Sequence, residues 1–197
     1  MKCLFLGYNK KQTKIISFLE KKNIIVINKK SKITLNDIKN KDIIISFGYR
    51  EIIKQKILSS VSRPIINLHM SYLPFNRGAH PNFWSFFDNT KKGVTIHEID
   101  KGIDTGKIIF RKEIKFDIKK KTYHTFKSTY KILFKELEKL FIQNYKSLLS
   151  NQYKKIINKK NLGKTHKSNH LPSNIKSWNK NIYLYLKKFN LKNMQIK

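Results

Sequence analysis

Pro64-Ile65-Ile66-Asn67-Leu68-His69 is the stretch on which the reading of this chain turns. An apolar run opened by a proline makes a strand, and along a strand residues i and i+2 project to the same side. Asn67 and His69 therefore share one face, while Leu68 packs on the other. Polar side chains at the end of an apolar strand ask for a reason beyond packing. Working outward, the neighbouring sequence repeats the strand pattern: Leu4-Phe5-Leu6 ending at Gly7, then Ile24-Ile25-Val26-Ile27, then Asp42-Ile43-Ile44-Ile45-Ser46-Phe47. Between these runs, the apolar positions Ile15, Ile16, Phe18 and Leu19, then Leu35 to Ile38, then Glu51 to Leu58, read as helical. Short apolar strands alternating with helices predict an α/β fold, Rossmann-like, with a mostly parallel central sheet flanked by helices on both faces.

Downstream the pattern changes. Val94 to Ile99 alternates with period two, and Lys107 to Ile114 reads as its strand partner. Phe126, Tyr130, Leu133, Phe134, Leu137, Leu140, Phe141, Tyr145 and Leu148 then recur at three- and four-residue steps, which predicts one long helix from about Thr122 to Ser150. After Asn151 the chain turns lysine- and asparagine-rich. The expected organisation is a catalytic domain over 1–150 and an extension over 151–197 packing on it.

Composition bounds the class. The 197 residues carry 43 Lys and Arg against 12 Asp and Glu, a formal charge of +31, and 40% hydrophobic residues, enough to build a core. Such a charge suggests nucleic acid or an anionic surface. However, 39 of those cations are lysines, only four are arginines, and Ala79 is the one alanine. Arginine is the better reader of phosphates and guanine edges. The bias therefore reads as A+T-rich coding, with nucleic acid not the expected partner. Lysine is also absent from Ile57 through Thr90, around the informative strand. The lone Cys3 excludes a disulfide framework and fits a reducing cytoplasm. No apolar run approaches a membrane span.

The chemistry follows from where the polar groups fall. In open α/β sheets the ligand crevice lies beyond the carboxyl ends of the strands. The Gly-punctuated loop Asp100-Lys101-Gly102-Ile103-Asp104-Thr105-Gly106 can hold a carboxylate over that crevice. Asn, His and Asp together suit acyl transfer to an amine. An Asn N–H stabilises the developing oxyanion, His moves the proton, and a carboxylate orients the His. Ser71 sits in no nucleophile elbow and Cys3 is remote, so direct attack by the amine is the simpler scheme. His97, on an alternating strand, reads as structural or as a helper at the rim. His166 and His170 read as a solvated loop with no third metal ligand. Phe83, Trp84, Phe86 and Phe87 read mostly as core.

Asn67-x-His69-x-Ser71-x-Leu73-Pro74-x-x-Arg77-Gly78, then Gly93-Val94-Thr95-Ile96-His97, then Gly102-Ile103-Asp104-Thr105-Gly106 resemble the formyltransferases that use 10-formyltetrahydrofolate. The likeness runs over about positions 42–114. It implies a catalytic triad in which Asn67 is the oxyanion donor, His69 the general acid/base, and Asp104 its partner and water organiser. It also implies folate contacts from Gly48, Tyr49, Arg50, Glu51 and Ile52 and from Asp100 and Ile103. On the acceptor side it implies Ser71, Arg77, Gly78 and His80, the last either lining the site or capping the next helix. No metal is implied. The position of the glycinamide ribonucleotide enzymes' phosphate loop reads Gly7-Tyr8-Asn9-Lys10-Lys11-Gln12 here, and only a short segment follows the long helix where the transfer-RNA enzymes add a β-barrel domain. The branch expected by resemblance formylates the amine of a nucleotide-linked amino sugar for surface polysaccharide. Methionyl-tRNA or glycinamide ribonucleotide formyl transfer, or nucleic-acid binding on the same scaffold, are the alternatives. A homodimer is compatible with the family.

Overall fold

A computed structural model of the chain describes residues 1–117 and 124–194. Its centre is a six-stranded sheet built from β1 (Lys2–Gly7), β2 (Ile25–Lys29), β3 (Ile43–Phe47), β4 (Ile66–His69), β6 (Gly93–Glu98) and β7 (Ile108–Glu113), in the order β2-β1-β3-β4-β6-β7. Strands β2, β1, β3 and β4 pair in parallel, and β6 is antiparallel to both β4 and β7. The expected α/β, mostly parallel sheet is therefore what forms, with one reversed strand.

Alternation along the strands divides the core in two. Cys3, Phe5, Ile43, Ile45, Phe47, Ile66 and Leu68 face α1 (Lys14–Glu20) and the long helix α5 (Phe126–Ser150). Leu4, Leu6, Ile44 and Ile65 face the opposite way, against α2 (Leu35–Ile38) and α3 (Gln55–Leu58). Both faces of β1 and β3 are covered, which is why these strands read as unbroken apolar runs. The edge is different, since Ile25 and Ile27 of β2 are 59% and 44% exposed.

Helix α5 has its expected stripe: Phe126, Leu133, Leu137, Leu140, Phe141 and Leu148 are buried. Its start is fixed by reciprocal bonds between Thr125 and Ser128, and Asn151 ends it in the left-handed region at φ 58°. The expected start at Thr122 lies outside the described residues. The Arg63 guanidinium donates to the carbonyls of Leu148 and Leu149, satisfying the last turn. Glu138, buried within α5, accepts from Thr13 Oγ1 at 2.7 Å and Lys14 N at 2.8 Å and so ties α1 to it. α3 is shorter than expected: residues 51–54 do not join it, and Ile52 is 85% exposed.

The segment after α5 is more ordered than its composition suggests. It bridges β7 through Ile156 and adds β8 (Thr165–His166) in parallel to β5 (Arg77–Gly78). It ends in α6 (Ile182–Met194). Ile182 and Tyr185 of α6 join Phe83, Trp84 and Phe86 of α4 (Pro81–Phe87) and Phe126 of α5 in a third apolar cluster. His166 corrects the solvated-loop reading. It is buried, stacked on Trp84 with ring centroids 4.0 Å apart and planes 5° apart, because the aromatic side chains of α4 reach into the tail.

Candidate active site

Asn67 and His69 project from the face of β4 opposite Leu68, as strand geometry requires. The loop bearing Asp104 reaches them by an indirect route. It leaves β6 beside the start of β4, where Ile99 N donates to the Ile65 carbonyl at 2.8 Å. The chain then turns back over the sheet face. Asp104 takes a left-handed conformation, φ 49°, and Asn158 Nδ2 holds the turn by donating to the carbonyls of Asp104 (2.9 Å) and Gly106 (3.2 Å).

The carboxylate ends among four polar groups. Asp104 Oδ2 accepts from Gly78 N at 2.8 Å and lies 3.5 Å from His69 Nδ1. Asp104 Oδ1 lies 3.3 Å from Asn67 Nδ2 and 3.4 Å from His97 Nε2. Burial disfavours the charge, yet the attraction between the carboxylate and the neighbouring histidines when they are protonated, together with the Gly78 N–H, outweighs it and holds the carboxyl well below the usual range. Asp104 is therefore an anion at any working pH. Burial pushes the His69 pKa down, against the pull of Asp104, so the ring rests neutral near pH 7. Both its nitrogens face acceptors, Nδ1 the carboxylate and Nε2 the Asn76 carbonyl at 3.3 Å. A neutral ring carries one N–H, and the carboxylate is the stronger acceptor, so the proton belongs on Nδ1. Nε2 is left with the lone pair and can act as the base.

His97 is buried, not at the rim, and its bonds fit the structural reading. Its Nδ1 sits 2.8 Å from the Glu98 carbonyl, which fixes the Nδ1–H tautomer, and Nε2 accepts from Asn67 Nδ2 at 3.0 Å. The contacts of 3.0, 3.3 and 3.4 Å put about 65° between the two acceptors at Nδ2, far less than the ~120° between amide hydrogens. Neither N–H therefore points straight at its acceptor, and a small rotation of the amide turns one of them toward a ligand. His69, His97 and Asp104 offer ligand atoms within 4.8 Å of one another, the residue types of a cation site. However, Asn67 Nδ2 already bonds the His97 nitrogen and one Asp104 oxygen, which makes this a proton network.

The other expected residues fall in two groups. On the folate side, Gly48 (φ 69°) has no room for a side chain, because a Cβ would lie 2.3 Å from the Tyr8 ring. Tyr49 donates its hydroxyl to the Ser31 carbonyl and accepts from Ile33 N. Arg50, Glu51 and Ile52 are exposed, as is Ile103. Asp100 shapes its own loop by accepting from Gly102 N and Thr105 Oγ1. On the acceptor side, Ser71 is fully buried and donates to the Phe75 carbonyl. Arg77 is 7% exposed and reaches Thr165 Oγ1 and the Gly163 carbonyl. Gly78 gives its N–H to Asp104. His80 occupies the N-cap position of α4 without a side-chain cap bond, and its ring stacks on Trp178 at 5.5 Å. A groove of about 800 Å³ opens elsewhere, lined by Met1, Lys2, Asp42 and Arg63 among others, and contains none of the triad.

Comparison with known proteins bears on this arrangement. The crystal structure of the formyltransferase PseJ from Anoxybacillus kamchatkensis, in complex with UDP-4,6-dideoxy-4-formamido-L-AltNAc and tetrahydrofolate, superposes with a TM-score of 0.82 at 35% identity. That likeness covers 93% of this chain and 96% of PseJ. Among curated relatives, methionyl-tRNA formyltransferase of Finegoldia magna is 37% identical over 92 residues, 46% of this chain and 30% of that protein. The dTDP-4-amino-4,6-dideoxyglucose formyltransferase of Mycobacterium tuberculosis is 38% identical over 72 residues, 36% of this chain and 30% of that protein. The match thus spans less than a third of either curated relative. The formyl transferase family profile matches residues 12–142, two thirds of the sequence, and the chain belongs to the formyl transferase family.

Proposed function

We propose that this chain transfers a formyl group from 10-formyltetrahydrofolate to the amine of a nucleotide-linked amino sugar. The observation that carries the reading is the end-to-end likeness to PseJ, whose crystal holds a UDP-linked 4-formamido sugar and tetrahydrofolate. The geometry supplies a route. The amine nitrogen attacks the formyl carbon, the bond to the folate nitrogen breaks, and one proton passes from amine to folate. Asn67 turns an N–H to the oxyanion, a donor worth about 3–4 kcal/mol in comparable sites. His69 Nε2 takes the amine proton and can return it to the departing nitrogen, while Asp104 steadies the imidazolium formed in between. The exposed Ile52 and Ile103 offer apolar contact to a flat pterin ring. The +31 charge favours arrival of two anions, a folate and a nucleotide diphosphate sugar.

The test is turnover. Purified protein, 10-formyltetrahydrofolate and a panel of UDP- and dTDP-linked 3- and 4-amino sugars should release tetrahydrofolate with at least one acceptor, a UDP-linked 4-amino sugar being the first to try. No turnover with any of them would refute the reading. The Finegoldia relative favours a second acceptor, aminoacylated initiator transfer RNA. Formylation of that RNA in preference to every sugar would transfer the conclusion to it.

A further inference from the structure

The catalytic groups are held from two sides, and one side is the segment after α5. Asn76 is buried with φ 53°, and its side-chain amide is pinned at both ends. Nδ2 donates to Asp88 Oδ2 at 3.2 Å, and Oδ1 accepts from Thr90 Oγ1. With the side chain fixed, the backbone carbonyl of Asn76 faces His69 Nε2. Asp88 is held in turn by His166 Nε2 at 2.8 Å and Lys164 Nζ at 3.5 Å. His166 cannot swing away, because its ring lies flat on Trp84. The backbone of β8 repeats the grip: Ala79 N donates to the His166 carbonyl at 2.8 Å and Arg77 N to the Lys164 carbonyl at 3.1 Å. Between them, Gly78 N is aimed at Asp104.

We propose that His166 is a positioning residue for the formyl transfer: through Asp88 and Asn76 it holds the carbonyl that accepts a hydrogen bond from His69 Nε2 once that nitrogen is protonated. In the neutral ring that carbonyl meets only a lone pair. It accepts a hydrogen bond once Nε2 is protonated, so it favours the state formed during transfer over the resting one, the condition for acceleration. Residues of the segment after α5 therefore set the acid/base step without touching substrate.

The proposal rests on the formyl-transfer reading, and two readouts separate them. Steady-state kinetics of His166→Ala should show kcat lower by about 10- to 100-fold, the range of one hydrogen bond to a charged group, with KM for both substrates nearly unchanged. His166→Gln keeps an N–H near the same place and should recover most of kcat. Thr90→Val frees Asn76 Oδ1 without altering β8 and should share the loss. Independently of any acceptor, 15N NMR of labelled histidine should show the His69 pKa falling in His166→Ala and Thr90→Val, since the charged ring loses an acceptor. Wild-type kcat in folded His166→Ala, or a loss that Gln does not restore and Thr90→Val does not share, would overturn the proposal. If His166→Ala does not fold, Thr90→Val decides by the same two measurements. A wild-type protein without formyl transfer sinks the functional reading alone, and the His69 titration still decides whether the relay exists.

Discussion

Replacing Asp104 with Asn preserves volume and removes one charge. Two consequences can be worked from the geometry. At 3.5 Å from His69 Nδ1, and with an effective dielectric near 20, a full imidazolium–carboxylate pair is worth about 5 kcal/mol. With half a proton transferred in the transition state, about 2–2.5 kcal/mol is lost, or roughly 50-fold in rate. The second effect concerns hydrogen bonding. Gly78 N requires an acceptor, so the new amide turns its oxygen there and presents its NH₂ toward Asn67 Nδ2, a distance of 3.3 Å at present. Two donors then oppose each other, Asn67 rotates, and the oxyanion bond proposed for it is compromised at a cost of about 3–4 kcal/mol. Such losses do not add. The expected fall in kcat/KM is on the order of 10² to 10⁴, measured by tetrahydrofolate release with the best acceptor and with circular dichroism to verify the fold. A folded Asp104→Asn within tenfold of wild type would refute the charge-pair reasoning.

Other outcomes follow from the same structure. The acid limb of kcat/KM should lie below the ordinary histidine value of 6.5, because burial lowers the His69 pKa and the proposed mechanism uses its neutral form as the base; a limb above 7 would contradict this. Stability should fall in the same direction. His69, His80 and His166 are all lowered by burial, so the unfolded chain takes up protons first, and folding stability declines as pH drops from about 6.5 through their folded values. Urea midpoints between pH 8 and pH 5 check this, and a midpoint that rose on acidification would reverse the sign. Gly78→Ala should both destabilise and inactivate, since φ is 84° and a Cβ would lie 2.3 Å from the His166 carbonyl oxygen; an active, equally stable variant would deny the close approach. Leu137→Ala, in the core of α5, should cost about 2–5 kcal/mol in urea unfolding while leaving kcat of the folded fraction intact.

How far the sequence spoke depended on whether the signal was local. Asn67 and His69 were legible because the period of a strand places them on one face, and α5 because its apolar stripe runs for seven turns. For His97 the strand pattern gives a structural or helping role but not its partner, because the register Asn67↔His97 crosses an antiparallel pair that no single strand reveals. α3 was read too long because Ile52 and Ile53 look helical-apolar, whereas residues 51–54 stay outside the helix and leave Ile52 in solvent. In the tail, the residue that differs from its sequence reading is His166. Thr165-His166 resembles any polar loop until Trp84 and Asp88, some 80 residues earlier, are brought beside it. Buried polar pairs of that separation leave no periodicity to find.

That separation also orders events during synthesis. The parallel strands, β6 and β7 precede the segment that carries Asn158 and His166, and chains generally fold from the amino end as they emerge. The sheet can therefore close while Asp104 and Asn76 still lack the contacts that fix them. A nascent chain would be folded at its centre while the side chains of the candidate site stay unfixed until the segment after α5 docks. Residues far downstream thus fix side chains on and around β4, a strand made well before them.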